Sequence, residues 1–184
     1  VMCGDGDIYI ACGVESMTRA PFVMGKCNEP WSRKAEIFDT TMGWRFTNKK
    51  LVELHHPFTM GETAENVAKQ WKISREEQDR YALFSQQKYF KALEEGKWRD
   101  EIISVEISGE NGLKKLIDND EHPRETSLEK LALLKPAFIK DGTVTAGNSS
   151  GINDGAAAMI LASEEAVIKY ELKPMARIVS MATA

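Results

Sequence analysis

The stretch with the most chemical content is Ala146-Gly147-Asn148-Ser149-Ser150-Gly151-Ile152-Asn153-Asp154-Gly155. From Gly147 to Gly155 no side chain is larger than that of Ile152, and a run of three alanines follows. Small residues at this density let another group approach the backbone, and a ligand is one such group. A tight turn in which Asn153 or Asp154 caps a following helix accounts for the same composition, so residue types alone leave both readings open. The segment lacks the lysine and Ser/Thr of a phosphate loop and the glycine spacing of a dinucleotide fingerprint. Asn148-Ser149-Ser150 also matches a glycosylation sequon, but no secretion signal accompanies it.

The other reactive side chains are sparse. Cys3, Cys12 and Cys27 form no CxxC pair and are too few for a disulfide scaffold. Cys3 lies beside Asp5 and Asp7, in text that reads as a helix end, where the dipole and like charge disfavour a thiolate. All three are read as structural, with Cys12 expected in a core. His55-His56 and the cluster Asp118-Asn119-Asp120-Glu121-His122 lack the spacing of known zinc or calcium loops, so no metal site is expected.

The elements that must position these residues belong to an ordinary globular chain. It has 184 residues, a net charge of -4, 42% hydrophobic and 28% charged residues. No apolar run approaches the roughly 18 to 20 residues that cross a bilayer, which argues against a membrane span. The spread of 28 acidic and 24 basic residues argues against a nucleic-acid surface. Cysteine usage fits a reducing compartment, and the expected location is the cytoplasm.

Residues 8–14 read as a buried strand. Residues 21–57 show scattered aromatics without a clean period and are expected to form a long irregular excursion, such as a lid or an oligomer contact. Helical text resumes at 63–71. Ser74-Arg75-Glu76-Glu77 is a capping box that opens a helix with Ala82, Gln86, Tyr89 and Leu93 on one stripe and Gly96 as its stop. A strand at 103–107, a hairpin or polar loop at 109–120, a short helix at 127–134, a strand at 142–146 and a helix at 156–165 follow. Residues 1–4 read as the tail of a helix already under way, and the alternating text from Met175 reads as a strand just begun. An internal fragment is therefore expected. Alternation of strands and helices makes the fold class α/β.

The string Thr143-Val144-Thr145-Ala146-Gly147-Asn148-Ser149-Ser150-Gly151-Ile152-Asn153-Asp154-Gly155-Ala156-Ala157-Ala158 resembles the corresponding segment of thiolases, the acyl-CoA C-acyltransferases. Three further strings agree in order. Cys12-Gly13-Val14-Glu15-Ser16-Met17-Thr18-Arg19-Ala20-Pro21 is similar to a thiolase strand and turn, with Cys12 where glycine is usual. Met60-Gly61-Glu62-Thr63-Ala64-Glu65-Asn66-Val67-Ala68, continued through Ser74 to Gln86, and Leu134-Lys135-Pro136-Ala137-Phe138 are similarly close. Thr59 stands where acetoacetyl-CoA thiolases usually show histidine. With Ala20-Pro21-Phe22-Val23-Met24-Gly25-Lys26 and Asp39-Thr40-Thr41-Met42-Gly43-Trp44-Arg45-Phe46, this resembles the 3-oxoadipyl-CoA group of thiolases.

The resemblance implies a thiolase-like fold. Residues 1–21 would end the N-terminal domain, 22–152 would form the inserted loop domain covering coenzyme A, 153–173 would be a return helix, and 174–184 would begin the C-terminal domain. It implies acyl transfer between a 3-oxoacyl-CoA and CoA, or the reverse condensation, with coenzyme A as substrate and no other cofactor. The acylated cysteine, its activating histidine and the second cysteine of the family would lie outside residues 1–184, so this chain alone contains no catalytic residue and is expected to be inactive. Ser150 matches the serine that bonds the pantetheine amide, with Ala146 and Gly147 leaving room for that arm. Phe138, Ala137 and Met60 match the apolar tunnel wall, Leu51 a residue nearer the adenine, and Arg124 an arginine near the adenosine diphosphate. The full-length protein is expected to be a homodimer or homotetramer. The alternative expectation is a stand-alone, non-catalytic module that binds CoA or a protein partner.

Overall fold

The computed structural model describes all residues except 28, 110, 111 and 184. The chain divides into two compact units, Val1–Ala20 with Ile152–Ala184, and Pro21–Gly151.

In the first unit, β1 (Ile8–Glu15) pairs antiparallel with β6 (Gly155–Ala162), from Ile8 opposite Ala162 to Glu15 opposite Gly155. Asp154 closes the open end of this ribbon, accepting from the Thr18 amide at 2.9 Å and the Thr18 hydroxyl at 2.7 Å. Those bonds, the amide first, hold its carboxyl below the usual carboxylate range. At the other end the Ser163 amide donates to the Asp7 carbonyl at 2.8 Å. Ser163 also caps the short helix α5 (Glu164–Lys169), taking the Ala166 amide at 3.1 Å.

Several sequence expectations are corrected here. The helix expected at 156–165 is strand β6 as far as Ala162. Alanine favours helix by a few tenths of a kcal/mol per residue, but β1 offers eight residues of ladder, and tertiary pairing overrides propensity. A return helix over 153–173 is thus reduced to α5. Cys12 is exposed rather than in a core, because every β1 residue is exposed on a two-stranded ribbon. Residues 174–183 form no strand, since no neighbouring backbone pairs with them among the described residues. The N-terminus is a turn closed by Gly4 N–H to the Val1 carbonyl at 3.0 Å, not a helix tail.

The second unit begins with a hairpin-like pair, β2 (Phe22–Met24) against β3 (Ile37–Asp39), followed by α1 (Lys49–Leu54). The excursion at 21–57 therefore contains regular structure, built on pairs too short to show a period. Helix α2 (Met60–Trp71) starts three residues earlier than its periodicity suggests. Thr59 and Glu62 form a second capping box, in which the Glu62 side chain takes the Thr59 amide at 2.7 Å. Helix α3 (Arg75–Glu94) has the expected Ser74 and Glu77 box and ends at Gly96, whose φ of +69° suits glycine. The reciprocal amide bonds hold the Glu62 and Glu77 carboxyls low. β4 (Val105–Ser108) pairs antiparallel with β5 (Lys114–Ile117), which decides for the hairpin of the hairpin or polar loop expected at 109–120; residues 110 and 111 lie outside the described residues. Ser127 caps α4 (Leu128–Ala132).

Residues 142–146 make no strand beyond one bridge between Pro136 and Thr145. The reason is that the Thr143, Val144 and Thr145 amides donate to side chains instead of to a ladder. Burial in this unit concentrates there, at Glu65, Ala68, Asp79, Leu131, Val144 and Thr145.

Candidate functional site

A buried carboxylate, Glu65, and a half-buried amide, Asn148, set the course of residues 142–149. Glu65 of α2 accepts the Thr143 amide at 2.8 Å and the Val144 amide at 2.8 Å, and the Thr143 hydroxyl at 2.9 Å. Asn148 then closes the turn on itself, its Oδ1 taking the Thr145 amide at 2.7 Å while its Nδ2 donates to the Thr143 carbonyl at 3.1 Å. The same Nδ2 reaches Asp79 Oδ1 of α3 at 3.0 Å. Asp79 is held in turn by Arg75 Nε at 2.8 Å, and the Arg75 guanidinium also donates to the Leu131 carbonyl at 2.6 Å and the Leu134 carbonyl at 3.0 Å. Gln78 adds a bond to the Thr143 hydroxyl at 2.9 Å. Every charge in this buried chain has a partner, which is the condition for burying charge without a large penalty.

The framework carries or adjoins six of the expected site residues. Ala137 N–H donates to the Val144 carbonyl at 2.9 Å, so the 136–138 segment runs beside 144–146. A Cβ on Gly61 would fall inside the Phe138 ring, which places that ring on the first turn of α2, next to Met60 in sequence. At Gly147 a Cβ would lie 2.5 Å from methyls of both Leu131 and Leu134, so glycine is required there by close packing. Ala146 is exposed and leaves its side of the turn open. Ser149 Oγ donates to the Thr145 carbonyl at 2.7 Å, whereas the exposed Ser150 next to it has a hydroxyl with no hydrogen-bond partner among the described residues. Such a hydroxyl is free to meet a ligand.

Leu51 and Arg124 lie elsewhere. Leu51 is an exposed residue of α1 and lines a different recess, with Trp44 and His55. The Arg124 backbone amide is bonded to Gln86 Oε1 of α3 at 3.0 Å, leaving an exposed guanidinium with no ion pair among the described residues. Sequence reasoning passed over Glu65, Arg75, Asp79 and Asn148. An available signal was Asn148 inside a run of otherwise small residues, and Glu65 on the helix side that also carries Gly61 and Ala68.

The cysteines are free and exposed, and Cys27 Sγ lies 3.3 and 3.8 Å from the Lys34 and Ser32 carbonyls. No group of three potential metal ligands occurs among the described residues. No helix is long and apolar enough to cross a membrane.

Comparison with known proteins gives this geometry a family. The profile of the thiolase N-terminal domain matches residues 1–165. The beta-ketoadipyl-CoA thiolase of Escherichia coli is 54% identical over 185 aligned residues, covering 100% of this chain and 46% of that protein. The 3-oxoadipyl-CoA/3-oxo-5,6-dehydrosuberyl-CoA thiolase of Escherichia coli strain K12 is also 54% identical, with the same coverage. Among solved structures, human mitochondrial 3-ketoacyl-CoA thiolase in complex with CoA superposes with a TM-score of 0.76 at 40% identity, covering 96% of this chain and 43% of that one. The chain thus spans less than half the length of the curated relatives it matches. Taken with the fold, these likenesses establish that the chain belongs to the thiolase family.

Proposed function

We propose that residues 1–184 supply the coenzyme A side of a thiolase that cleaves a 3-oxoacyl-CoA with free CoA to give acetyl-CoA and a shortened acyl-CoA, or runs the reverse condensation. The observation that carries this reading is the free Ser150 hydroxyl on a turn whose Ala146 side is open, and which Glu65 ties to the helix that Phe138 packs on and Met60 begins. A serine hydroxyl there suits the amide of a pantetheine arm, and Phe138, Ala137 and Met60 suit its apolar flank. Arg124, whose exposed guanidinium has no ion pair among the described residues, suits the phosphates, and Leu51 the region nearer the adenine. Coenzyme A is substrate here, not a resident cofactor.

The names of the relatives favour a 3-oxoadipyl-CoA substrate. In this reading residues 1–21 end the N-terminal domain, 22–152 cover coenzyme A, 153–173 return to the N-terminal domain through β6 and α5, and 174–184 begin the C-terminal domain. The groups that carry acyl and proton lie outside residues 1–184. The complete protein works in the cytoplasm as a homodimer or homotetramer. The deciding experiment measures acetyl-CoA release from 3-oxoadipyl-CoA and CoA. Turnover by the complete enzyme and none by residues 1–184 is the expected pair of results. Turnover by the isolated chain, or none by the complete enzyme on any 3-oxoacyl-CoA, removes the proposal.

A further inference from the structure

The turn that presents Ser150 is folded back on one residue. Thr145 is 0% exposed, and three later groups donate to it: the Gly147 amide to its hydroxyl at 3.2 Å, the Asn148 amide to its carbonyl at 3.3 Å, and the Ser149 hydroxyl to the same carbonyl at 2.7 Å. The place of Ser150 therefore follows from where Thr145 is held. The Thr145 amide donates to Asn148 Oδ1 at 2.7 Å, and the other end of that side chain donates to the Thr143 carbonyl and to Asp79 Oδ1. Asn148 thus accepts at one end and donates at the other, and its neighbours fix which way round the amide lies.

Asp79 is the member of this arrangement that lies outside the turn. It is 3% exposed and 69 residues from Asn148 in sequence. Its carboxylate sits between two donors, with Asn148 Nδ2 at 3.0 Å from Oδ1 and Arg75 Nε at 2.8 Å from Oδ2. A carboxylate only accepts, so it suits both donors at once. An amide of the same shape has a single oxygen, so either Arg75 or Asn148 would then meet an N–H. Arg75 also holds the Leu131 and Leu134 carbonyls, and the Gly147 backbone packs against methyls of those two leucines. The Arg75 and Asp79 pair at the start of α3 therefore grips both sides of Gly147, the two leucines on one and Asn148 on the other.

We infer that Asp79 is a positioning residue for coenzyme A, acting through Asn148 and Thr145 to set where the Ser150 hydroxyl meets the pantetheine amide. The inference rests on the thiolase reading above, in which Ser150 bonds that amide, and adds the buried acid on which the aim of the hydroxyl depends. The competing role is structural alone, with Asp79 balancing the buried charge of Arg75 and having no bearing on Ser150. The two roles differ in one measurable respect. A positioning residue has nothing left to position once Ser150 lacks its hydroxyl, whereas a structural one still weakens the enzyme by the same factor.

The test uses the complete enzyme and reads kcat/KM for CoA in a double-mutant cycle of Asp79→Asn with Ser150→Ala. Each single variant should lower that value about 3- to 10-fold, the range of one neutral hydrogen bond. The two together should be no worse than Ser150→Ala alone. The exchange Asp79→Asn with Asn148→Asp sets acceptor against donor again, and should recover part of the loss caused by Asp79→Asn. If Asp79→Asn does not fold, Asn148→Ala takes its place in the cycle, since it cuts the same link while leaving Arg75 and Asp79 together. Losses that multiply in the double variant overturn the inference and leave Asp79 structural. A folded Asp79→Asn enzyme with unchanged kcat/KM beside an impaired Ser150→Ala enzyme overturns it too, and in both cases the thiolase reading stands. If Ser150→Ala itself leaves kcat/KM for CoA unchanged, the placement of coenzyme A falls and this inference falls with it.

Discussion

Glu65 and Thr143 stand 78 residues apart in sequence, yet both carboxylate oxygens of Glu65 accept the Thr143 amide, at 2.8 and 3.0 Å. One acid in α2 therefore replaces the strand partner that residues 142–146 lack. Removing it leaves the amides of Thr143 and Val144 without acceptors in a buried place. Glu65→Ala should cost about 2–4 kcal/mol, the sum of one or two unsatisfied buried groups, and Glu65→Gln about half of that because one carbonyl remains. Urea denaturation of the complete protein reads both. Gly142→Ala should behave similarly, since its Cβ would strike Glu65 Oε1.

Asn148 offers a sharper test through its bond to Asp79. Asn148→Asp sets a carboxylate against a carboxylate, and Asp79 is almost fully buried. A loss of about 2–3 kcal/mol is expected. Asp79→Asn added to it should recover part of the loss, because an amide then faces the new acid while its oxygen still accepts from Arg75. A double-mutant cycle with no coupling between 79 and 148 would show that the two side chains do not meet.

At Ser150 the expected effect is on substrate. Ser150→Leu in the complete enzyme should raise the KM for CoA and lower kcat together, because a bulky side chain on the open side of the turn obstructs the arm and removes its bond. Arg124→Ala should raise KM about 3- to 10-fold and leave kcat near wild type, as an exposed contact far from the reacting carbon would. Steady-state kinetics with CoA varied separates the two patterns.

The contrast between Ser74 and Glu65 shows what could be read from the chain. The box at Ser74 and Glu77 is a signal contained in four adjacent residues, and the structure forms it with bonds of 2.8 and 3.2 Å. Thr59 and Glu62 carry the same signal and were equally legible. Glu65 carries only the weak signal of sharing a helix side with Gly61 and Ala68, because its partners lie 78 and 79 residues away. The alanines at 156–158 misled for a related reason, as local propensity says helix and only the distant β1 makes them strand. Ser150, Gly147, Ala146, Phe138, Ala137 and Met60 are legible only through family likeness, and the packing of Phe138 on Gly61 and the bond from Ala137 to Val144 cannot be seen without the fold.

Acid should act first on the caps and on the ribbon end. The carboxyls of Glu62, Glu77 and Asp154 are all depressed, each chiefly by a backbone amide it accepts. A carboxyl lower in the folded than in the unfolded state adds stability that is fully present above its unfolded value. That stability is lost as pH falls through the folded one. Stability should thus be flat from neutral pH to about pH 5 and decline below it. Thr18→Val should flatten the part of that decline owed to Asp154, because without the hydroxyl one of its two stabilising bonds is gone. Thermal midpoints measured between pH 3 and 7 decide the matter, and a decline beginning above pH 6 would assign it to other groups.

The β1 and β6 ribbon bears on how the isolated chain of 184 residues should behave. Ile10, Val14, Met159 and Ile160 are each more than half exposed on it, and each strand has one edge unpaired among the described residues. Apolar strands with bare edges recruit further strands, so the chain on its own should associate at micromolar concentration. The second unit holds its helices by caps and by the Glu65, Asn148, Asp79 and Arg75 bonds, none of which needs the ribbon. Limited proteolysis should therefore cut within 1–20 and 170–183 before it cuts α3. Mass spectrometry of the early fragments identifies the sites. A monodisperse monomer with both terminal regions as resistant as Arg75–Glu94 would mean that the ribbon is covered by the chain itself, in an arrangement different from the one described.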